Sequence, residues 1–270
     1  MKRILLPTDF SENSLNAIHY ALTFFKGIPC EFCFLNIQKP SEYVTGEIYT
    51  SSPTESTIYD SVAKDHKEKL NELVLRYEKE YEQQPFTFDS IFDFDVFVDA
   101  IQQVVNTRSI ELIIMGTNGA TDAAEVLFGS NTLKVIRNVN CPILAIPEGF
   151  QYQQFASVLF TYKKEDEFHP DALKPLGDLI NGKTVSLEVL CVDNHKELPK
   201  SDVLNLFSEV NYHEVDGVPT PEAINSYEQL LPVDMHTIFV KPKSFFQRIF
   251  SGSDVPKISY ESKVPLLVLK

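Results

Sequence analysis

Long apolar runs and clusters of basic residues are both scarce in this sequence of 270 residues. No stretch approaches the ~18 consecutive apolar residues that span a bilayer. Only Lys2 and Arg3 precede the first apolar run, so we expect no signal peptide. Lys and Arg number 24 against 38 Asp and Glu, for a net charge of −14. Because nucleic acids and anionic membranes select basic surfaces, we expect neither as a partner. Since we expect no membrane span and no signal peptide, we expect a cytoplasmic protein.

Cysteine is also rare, and its four copies predict neither metal nor redox chemistry. Cys30 and Cys33 form a C-x-x-C pair, a spacing that occurs in redox and zinc sites. Redox pairs lie at the start of a helix, where the dipole lowers the thiolate pKa, whereas this pair lies in a strand-like run. A separation of three residues in a strand directs the two sulfurs to opposite faces of a sheet. No second Cys pair completes a zinc site, so we expect structural cysteines.

Apolar, strand-like runs alternate along the chain with amphipathic segments. The pattern predicts strands at 3–8, 30–37, 86–92, 111–116 and 142–147, and helices at about 11–25, 59–82, 96–106 and 130–138. Residues 38–57 are polar and predict a long loop. Continuous apolar runs such as Leu112–Met115 are typical of strands buried on both faces, as in a parallel sheet covered by helices. We therefore predict a doubly wound α/β fold.

The strand and helix pattern is repeated once. Four short motifs recur in the same order, at offsets of 154, 155, 125 and 123 residues. They begin at Ile4, Phe34, Ile113 and Cys141 in the first copy, and at Val158, Val189, Ile238 and Val264 in the second. The falling offset indicates that the second copy lacks about thirty residues after its second strand. We predict two tandem domains, residues 1–148 and 149–270.

Two segments of the first copy lie where a ligand would bind, beyond the carboxyl ends of parallel strands. Pro7-Thr-Asp9 follows the first strand. Gly116-Thr-Asn-Gly119 follows the fourth strand and is separated by nine residues from Gly129-Ser-Asn-Thr132. Glycines permit close approach of a ligand to the backbone, and the free N–H groups of a helix beginning at Ser130 attract a phosphate. A lone Gly-x-x-Gly would more simply be a turn, with Ser130 as a helix cap.

The complete spacing, Gly-x2-Gly-x9-Gly-Ser between an apolar strand and a helix, resembles the ATP-binding signature of the universal stress protein family. The opening Ile4-Leu-Leu-Pro-Thr-Asp-Phe-Ser-Glu12 is similar to that family's first strand and loop. The resemblance covers nearly the whole chain, as a tandem pair. It implies two Rossmann-like domains of the adenine nucleotide alpha hydrolase-like type, each a five-stranded parallel sheet flanked by helices. ATP would lie between the first and fourth strands, with Mg²⁺ carried by its phosphates.

The resemblance also assigns roles to individual residues of the first copy. Asp9 would contact the adenosine moiety. The base pocket would be lined by Pro7, Thr8, Ile37 and Met115. Ribose and phosphates would be held by Gly116, Asn118, Gly119, Gly129, Ser130, Asn131 and Thr132.

The second copy departs from this pattern. Thr161-Tyr-Lys163 replaces Pro7-Thr-Asp9, and Lys241-Pro-Lys-Ser244 replaces the first pair of glycines, so that only Gly252-Ser253 remains. We expect the second copy not to bind ATP and to act mainly as a packing partner. Binding of another anion by its lysines is an alternative.

No catalytic residues are predicted. The last glycine is not followed by the Lys of a P-loop, no Gly-x-Gly-x-x-Gly follows the first strand, and six histidines are scattered without zinc spacing. We favour a nucleotide-dependent regulatory module of a stress response. The alternatives are a slow ATP-hydrolysing or nucleotidyl-transferring enzyme and a nucleotide-independent interaction protein.

The resemblance bears on assembly as well, because members of this family commonly pair through their last strands. We expect an internal pseudo-dimer of the two domains, and a homodimer and an unidentified regulatory protein as further partners. We expect the loop at residues 38–57 to respond to nucleotide, because it is much longer than the usual ~4–6 residues.

Overall fold

A computed structural model of the chain describes residues 1–39, 58–117, 129–163, 169–193, 197–240 and 264–270. The first half contains the strands β1 (Lys2–Pro7), β2 (Cys30–Gln38), β3 (Phe86–Phe94), β4 (Leu112–Gly116) and β5 (Ile143–Ile146). Its helices are α1 (Glu12–Phe24), α2 (Ile58–Glu80), α3 (Phe97–Arg108) and α4 (Ser130–Asn138). All of these elements were predicted from the sequence, with ends that differ by at most two residues.

Within its described residues, the second half repeats the five strands and has two α-helices. Its strands are β6 (Ser157–Lys163), β7 (Ser186–Val192), β8 (Glu209–Val215), β9 (Met235–Phe239) and β10 (Leu266–Leu269). Its helices are α5 (Lys174–Ile180) and α6 (Thr220–Leu230), with 3-10 turns at Pro170–Leu173 and Asp202–Leu206. The turn at Asp202–Leu206 lies between β7 and β8, where the first half has the long helix α2. This is the place at which the sequence offsets predicted missing residues.

The ten strands form one sheet in the order β3-β2-β1-β4-β5-β10-β9-β6-β7-β8. Each half therefore has the same internal order, with its first strand at the centre and parallel neighbours. The halves meet where β5 and β10 pair antiparallel, with Leu144 opposite Leu267. Because of this reversal, the strands β1–β5 and the strands β6–β10 run in opposite directions, and their carboxyl ends lie on opposite sides of the sheet. Pairing through the last strands agrees with the expected internal pseudo-dimer.

The strands alternate their side chains between two apolar layers, as a sheet covered on both faces requires. Ile4 and Leu6 of β1 belong to the layer under α1, α2 and α5, which we call the α1 face. Leu5 belongs to the layer under α3, α4 and α6, which we call the α4 face. Cys30 lies in the first layer and Cys33 in the second, so the two thiols point to opposite faces as predicted.

The strand register corrects one detail of the sequence alignment between the first and second copies. Leu5 of β1 is opposite Ile113 of β4, and the equivalent Leu159 of β6 is opposite His236 of β9. Ile113 therefore corresponds to His236 and not to Ile238, which the sequence offset of 125 had suggested. The sequence alignment was misled because the residues of β9 that correspond to Ile113 and Ile114 are the polar His236 and Thr237, so the apolar motif was matched two residues further along, at Ile238.

Candidate functional site

A crevice opens between the carboxyl ends of β1 and β4. Pairs of directly opposite residues, called rungs here, join β1 to β2 as far as Pro7 and join β4 to β5 as far as Gly116. Between β1 and β4, however, the last rung is Leu5–Ile113, so the two strands separate beyond it. The strand order reverses at this same place, and such a switch point is where open parallel sheets bind ligands.

The α4 side of the crevice has an apolar wall. Met115 belongs to the apolar layer on the α4 face, and Ile37 is partly buried against the same layer. Pro7 is buried and, two residues after Leu5, is directed to the same face by the alternation of the strand. Three of the residues predicted to line a base pocket therefore share one side of the crevice.

Helix α4 begins beside this wall, and its N-cap residue gives the first turn no side-chain hydrogen bond. Gly129 is the N-cap residue and has no side chain to accept hydrogen bonds from the first N–H groups. Ser130 and Asn131 are exposed. Free N–H groups and the positive end of the helix dipole favour an anion at such a position. The phosphate-binding role of Ser130 stays a prediction.

Thr132 has a different position from its exposed neighbours. It is 2% exposed, and its hydroxyl donates to the carbonyl of Gly116 at 2.8 Å, with the carbonyl of Thr117 at 3.3 Å. The N–H of Gly129 donates to the Thr117 carbonyl as well. These bonds fasten the start of α4 to the end of β4. Thr132 thus holds the first turn of α4 against the end of β4, and its hydroxyl proton is already bonded to backbone carbonyls.

The loop after β1 is held by side chain to backbone hydrogen bonds. The hydroxyl of Thr8 accepts from the N–H of Phe10 at 3.0 Å and lies 3.0 Å from the hydroxyl of Ser14 in α1. Phe10 is held in the left-handed region, with φ of 64°. The carboxylate of Asp9 is exposed and accepts hydrogen bonds from the backbone and side chain of Ser11. Asp9 therefore lies exposed directly after the end of β1, bonded to Ser11, whereas the Thr8 hydroxyl is bonded to Phe10 and lies against Ser14 of α1.

Two asparagines that the sequence analysis did not select also shape this site. Asn36 is 1% exposed and donates to the Thr8 carbonyl at 2.7 Å, which joins β2 to the loop after β1. The carboxamide of Asn13 in α1 packs directly on Gly116, where an added Cβ would lie 2.5 Å from Asn13 Nδ2. Gly116 is thus required by the packing of α1. The sequence marks both residues, because each is a polar side chain among apolar residues on the same face of its helix or strand.

Some predicted residues lie outside the described part of the chain. They are Asn118 and Gly119 of the first copy, residues 241–244 and 252–253 of the second, and residues 40–57 of the long loop. The residues that the structure brings together at the crevice are Pro7, Asp9, Ile37, Met115, Gly116, Gly129, Ser130, Asn131 and Thr132.

The equivalent place in the second half is closed. Beyond the equivalent of the last rung, β6 and β9 continue with Phe160–Thr237 and Thr161–Ile238. The register places Phe239 at the position of Gly116, and it is 7% exposed. Tyr162, which takes the place of Thr8, is likewise buried. Two more rungs and two buried rings leave this half without the gap found between β1 and β4.

The cysteines have no environment that would activate them. Burial raises the pKa of Cys30 to about 11 and that of Cys33 to about 12, so both remain thiols near neutral pH. Among the residues that the structure describes, no three His, Cys, Asp or Glu side chains come together as metal ligands. No helix in the same residues is long and apolar enough to cross a bilayer.

Comparison with known sequences bears on the half that contains the crevice. The sequence model of the universal stress protein family matches residues 1–147. Universal stress protein MJ0531 of Methanocaldococcus jannaschii is 27% identical over 145 residues, covering 54% of this chain and 81% of that protein. Universal stress protein MJ0577 of the same organism is 28% identical over 152 residues, covering 54% of this chain and 94% of that protein.

Comparison with solved structures extends over both halves. A universal stress protein from Archaeoglobus fulgidus DSM 4304 has a TM-score of 0.68 at 21% identity, covering 99% of this chain and 98% of that one. A putative universal stress protein from Pseudomonas aeruginosa UCBPP-PA14 has a TM-score of 0.60 at 13% identity, covering 100% and 93% of the two chains. At these identities the likeness concerns the fold alone, over both halves of the chain.

Proposed function

The chain belongs to the universal stress protein family, and on that premise we propose that it binds one ATP molecule in the crevice between β1 and β4. The observation that carries the proposal is the juxtaposition of an open switch point with an uncapped helix N-terminus. The rungs between β1 and β4 stop at Leu5–Ile113, and α4 begins beside the gap at Ser130. An apolar wall next to an anion-binding helix end suits a flat base joined to a phosphate chain.

In this proposal the three parts of the nucleotide take three parts of the crevice. The base lies along Pro7, Ile37 and Met115, all on the α4 face. The exposed carboxylate of Asp9 accepts hydrogen bonds from ribose hydroxyls. The phosphates, with Mg²⁺ bound to them, lie at the start of α4. The residues we assign to the phosphates are Asn118, Gly119, Gly129, Ser130 and Asn131, with Thr132 and Gly116 holding the backbone that presents them.

The proposal gives the two halves different roles. We take residues 1–148 as the nucleotide-binding domain and residues 149–270 as a domain that packs against it. The additional rungs of β6 with β9 and the buried Phe239 support a second half without a nucleotide. We further propose that occupancy of the first half regulates a protein partner in a cytoplasmic stress response, and that ATP is bound without being rapidly hydrolysed.

The test is a calorimetric titration of the full chain with Mg–ATP, using two variants of the same helix. Asn131 and Asn138 are both exposed, the first at the start of α4 and the second at its end. Asn131→Asp places a negative charge where the phosphates would lie, and it suits the helix dipole, so folding is preserved. We expect one ATP per chain and an affinity reduced about tenfold or more by Asn131→Asp, equivalent to ~1.4 kcal/mol.

Asn138→Asp is the matched control and is expected to leave the affinity within about twofold, because helix-end charge effects fall off within one turn. Two ATP molecules per chain would contradict the assignment of a closed second half. Absence of binding to the wild type would refute the proposed function. Prompt release of ADP or AMP in a single-turnover assay would replace the regulatory module with an enzyme.

A further inference from the structure

Backbone hydrogen bonds show which residues of β1 face which neighbouring strand. The N–H of Lys2 donates to Pro29 and that of Thr8 to Leu35, both in or beside β2. Since the backbone groups of successive residues in a strand point to alternate sides, the even-numbered residues of β1 face β2. Leu5 and Pro7 therefore face β4.

The same argument applies to β4. The N–H of Ile113 donates to the carbonyl of Pro142, at the start of β5. The neighbours of Ile113 in β4, Leu112 and Ile114, therefore turn their backbone groups towards β1, as does Gly116. After the rung at Leu5, the next ladder bond would run from the N–H of residue 7 to the Ile114 carbonyl. Residue 7 is proline, which has no N–H, so this bond cannot form.

The second half of the molecule shows what happens when this donor is present. Thr161 stands at the position of Pro7, and Thr237 at that of Ile114. Here the ladder does continue, through the rungs Phe160–Thr237 and Thr161–Ile238. The two halves have the same strand order and register, so they differ at this point by the presence of one N–H group and by the side chains around it.

We propose that Pro7 is a positioning residue that ends the β1–β4 ladder and so keeps the crevice open for the nucleotide. The inference rests on the proposed function for its ligand but not for its structural part. It assigns to the backbone of Pro7 an effect distinct from the apolar contact that its ring offers. Because Pro7 has no N–H, the Ile114 carbonyl faces the crevice without the hydrogen bond that any other residue at position 7 could donate.

The experiment restores the N–H in two ways, with Pro7→Ala and Pro7→Thr. Both are expected to extend the ladder, because residue 7 can then donate to Ile114 and Gly116 can donate to residue 7. Amide exchange followed by NMR should slow about tenfold or more at residue 7 relative to an exposed amide, and at Gly116 relative to the wild type. ATP affinity should fall about tenfold or more, since only the fraction of molecules with an open crevice binds.

Pro29→Ala is the matched control, because it restores an N–H in an exposed turn away from the crevice. It is expected to leave the exchange of the Gly116 amide and the ATP affinity unchanged. Thr161→Pro is the reciprocal variant and should accelerate exchange at Phe239, the counterpart of Gly116. The exchange measurements do not require nucleotide, so they decide the role of Pro7 even if the wild type binds none.

Unchanged exchange at Gly116 in both Pro7 variants would overturn the inference. Slowed exchange with undiminished ATP affinity would also overturn it, by showing that closure of the ladder does not close the site. The proposed function would stand in either case. Slowed exchange together with weakened binding in Pro7→Ala and Pro7→Thr alike would support the inference, because these two side chains share the N–H but differ in shape and polarity.

Discussion

Asn13 and Gly116 are in direct contact, and a Cβ at position 116 would lie 2.5 Å from Asn13 Nδ2. The contact joins the first turn of α1 to the last residue of β4. The same turn of α1 lies next to the loop that carries Asp9, and β4 leads to the anchored start of α4. One pair of residues therefore joins the elements that lead to the two sides of the crevice.

We predict that Gly116→Ala destabilises the protein by about 1–3 kcal/mol, because the added methyl group must displace a buried side chain in a filled space. Urea unfolding followed by circular dichroism measures the loss. The strain is specific to Asn13, so the double variant Asn13→Ala, Gly116→Ala should recover most of it relative to Asn13→Ala alone. Additive effects of the two substitutions would show that Gly116 is required for another reason.

A second prediction concerns Thr132, whose hydroxyl donates to the Gly116 carbonyl. Thr132→Val keeps the shape but removes this part-buried hydrogen bond, and should cost about 0.5–1.5 kcal/mol of unfolding free energy. Thr132→Ser keeps the hydroxyl and should lose less. Chemical denaturation of the three proteins gives the order. Equal losses in the two variants would indicate that the methyl group matters and not the hydrogen bond.

A third prediction concerns Lys183, which follows α5 and packs on aromatic rings of the first half and of the segment between the halves. Its Nζ lies 4.6 Å from the ring centre of Phe24 and 5.6 Å from that of Phe155, and it donates to the Leu179 carbonyl at 2.8 Å. Lys183→Met retains the aliphatic stem but removes the charge, and should lower the unfolding free energy by about 0.5–2 kcal/mol.

Lys183→Arg retains a cation that can stack on the rings, and should lose less than Lys183→Met. The exposed Lys134 of α4 offers a control, since Lys134→Met removes the same charge from the surface. Thermal unfolding of the three variants compares them directly. An equal effect of Lys183→Met and Lys134→Met would show that net charge, and not the cation–π contact, sets the stability.

A fourth prediction follows from the buried His236. Its Nε2 lies 2.8 Å from the Thr161 hydroxyl, and Glu228 of α6 lies 3.9 Å from Nδ1. Burial lowers the pKa of His236 to about 3. In the unfolded chain the imidazole binds a proton below pH ~6.5, whereas in the folded protein it stays neutral. The unfolding free energy should therefore fall as the pH drops from ~6.5 towards ~3, by up to about 1.4 kcal/mol per pH unit from this group.

His236→Gln should flatten this part of the stability profile, because glutamine does not titrate. Urea unfolding at several pH values between 7 and 4 measures the slope for each protein. His19→Gln alters an exposed histidine of α1 and should leave the slope unchanged. Parallel profiles for the wild type and His236→Gln would contradict the prediction.

The arrangement of strands was predictable because burial on both faces leaves a clear sequence pattern. Runs such as Leu112–Met115 are apolar at every position, and the same composition repeats in the second half. β9 is the exception, because the counterpart of Ile113 is the polar His236, and the apolar motif was therefore matched two residues too far along. Only the backbone register, which pairs Leu159 with His236, shows that a phenylalanine stands where the first half has Gly116.

The sequence predicted the loops of the candidate site better than the residues that hold those loops in place. The spacing of glycines pointed to the start of α4, where the N-cap residue is Gly129 and offers no side-chain hydrogen bond. The supporting roles of Asn13 and Asn36 depend on contacts between elements far apart in the chain, so that an asparagine in an apolar row marks each residue but does not identify its partner. The burial of Thr132 could not be predicted from its motif either, because its exposed neighbours Ser130 and Asn131 have the same polar character.

The position of β10 has a consequence for the synthesis of the protein. β10 lies in the middle of the sheet, between β5 and β9, yet it is the last of the ten strands to be translated. Until Leu266–Leu269 emerge from the ribosome, β5 and β9 each have an unpaired backbone edge flanked by buried side chains, the kind of surface on which chains aggregate. The nascent chain should therefore depend on chaperones until its final strand is made, and a truncation before Leu266 should yield insoluble protein rather than a free first half.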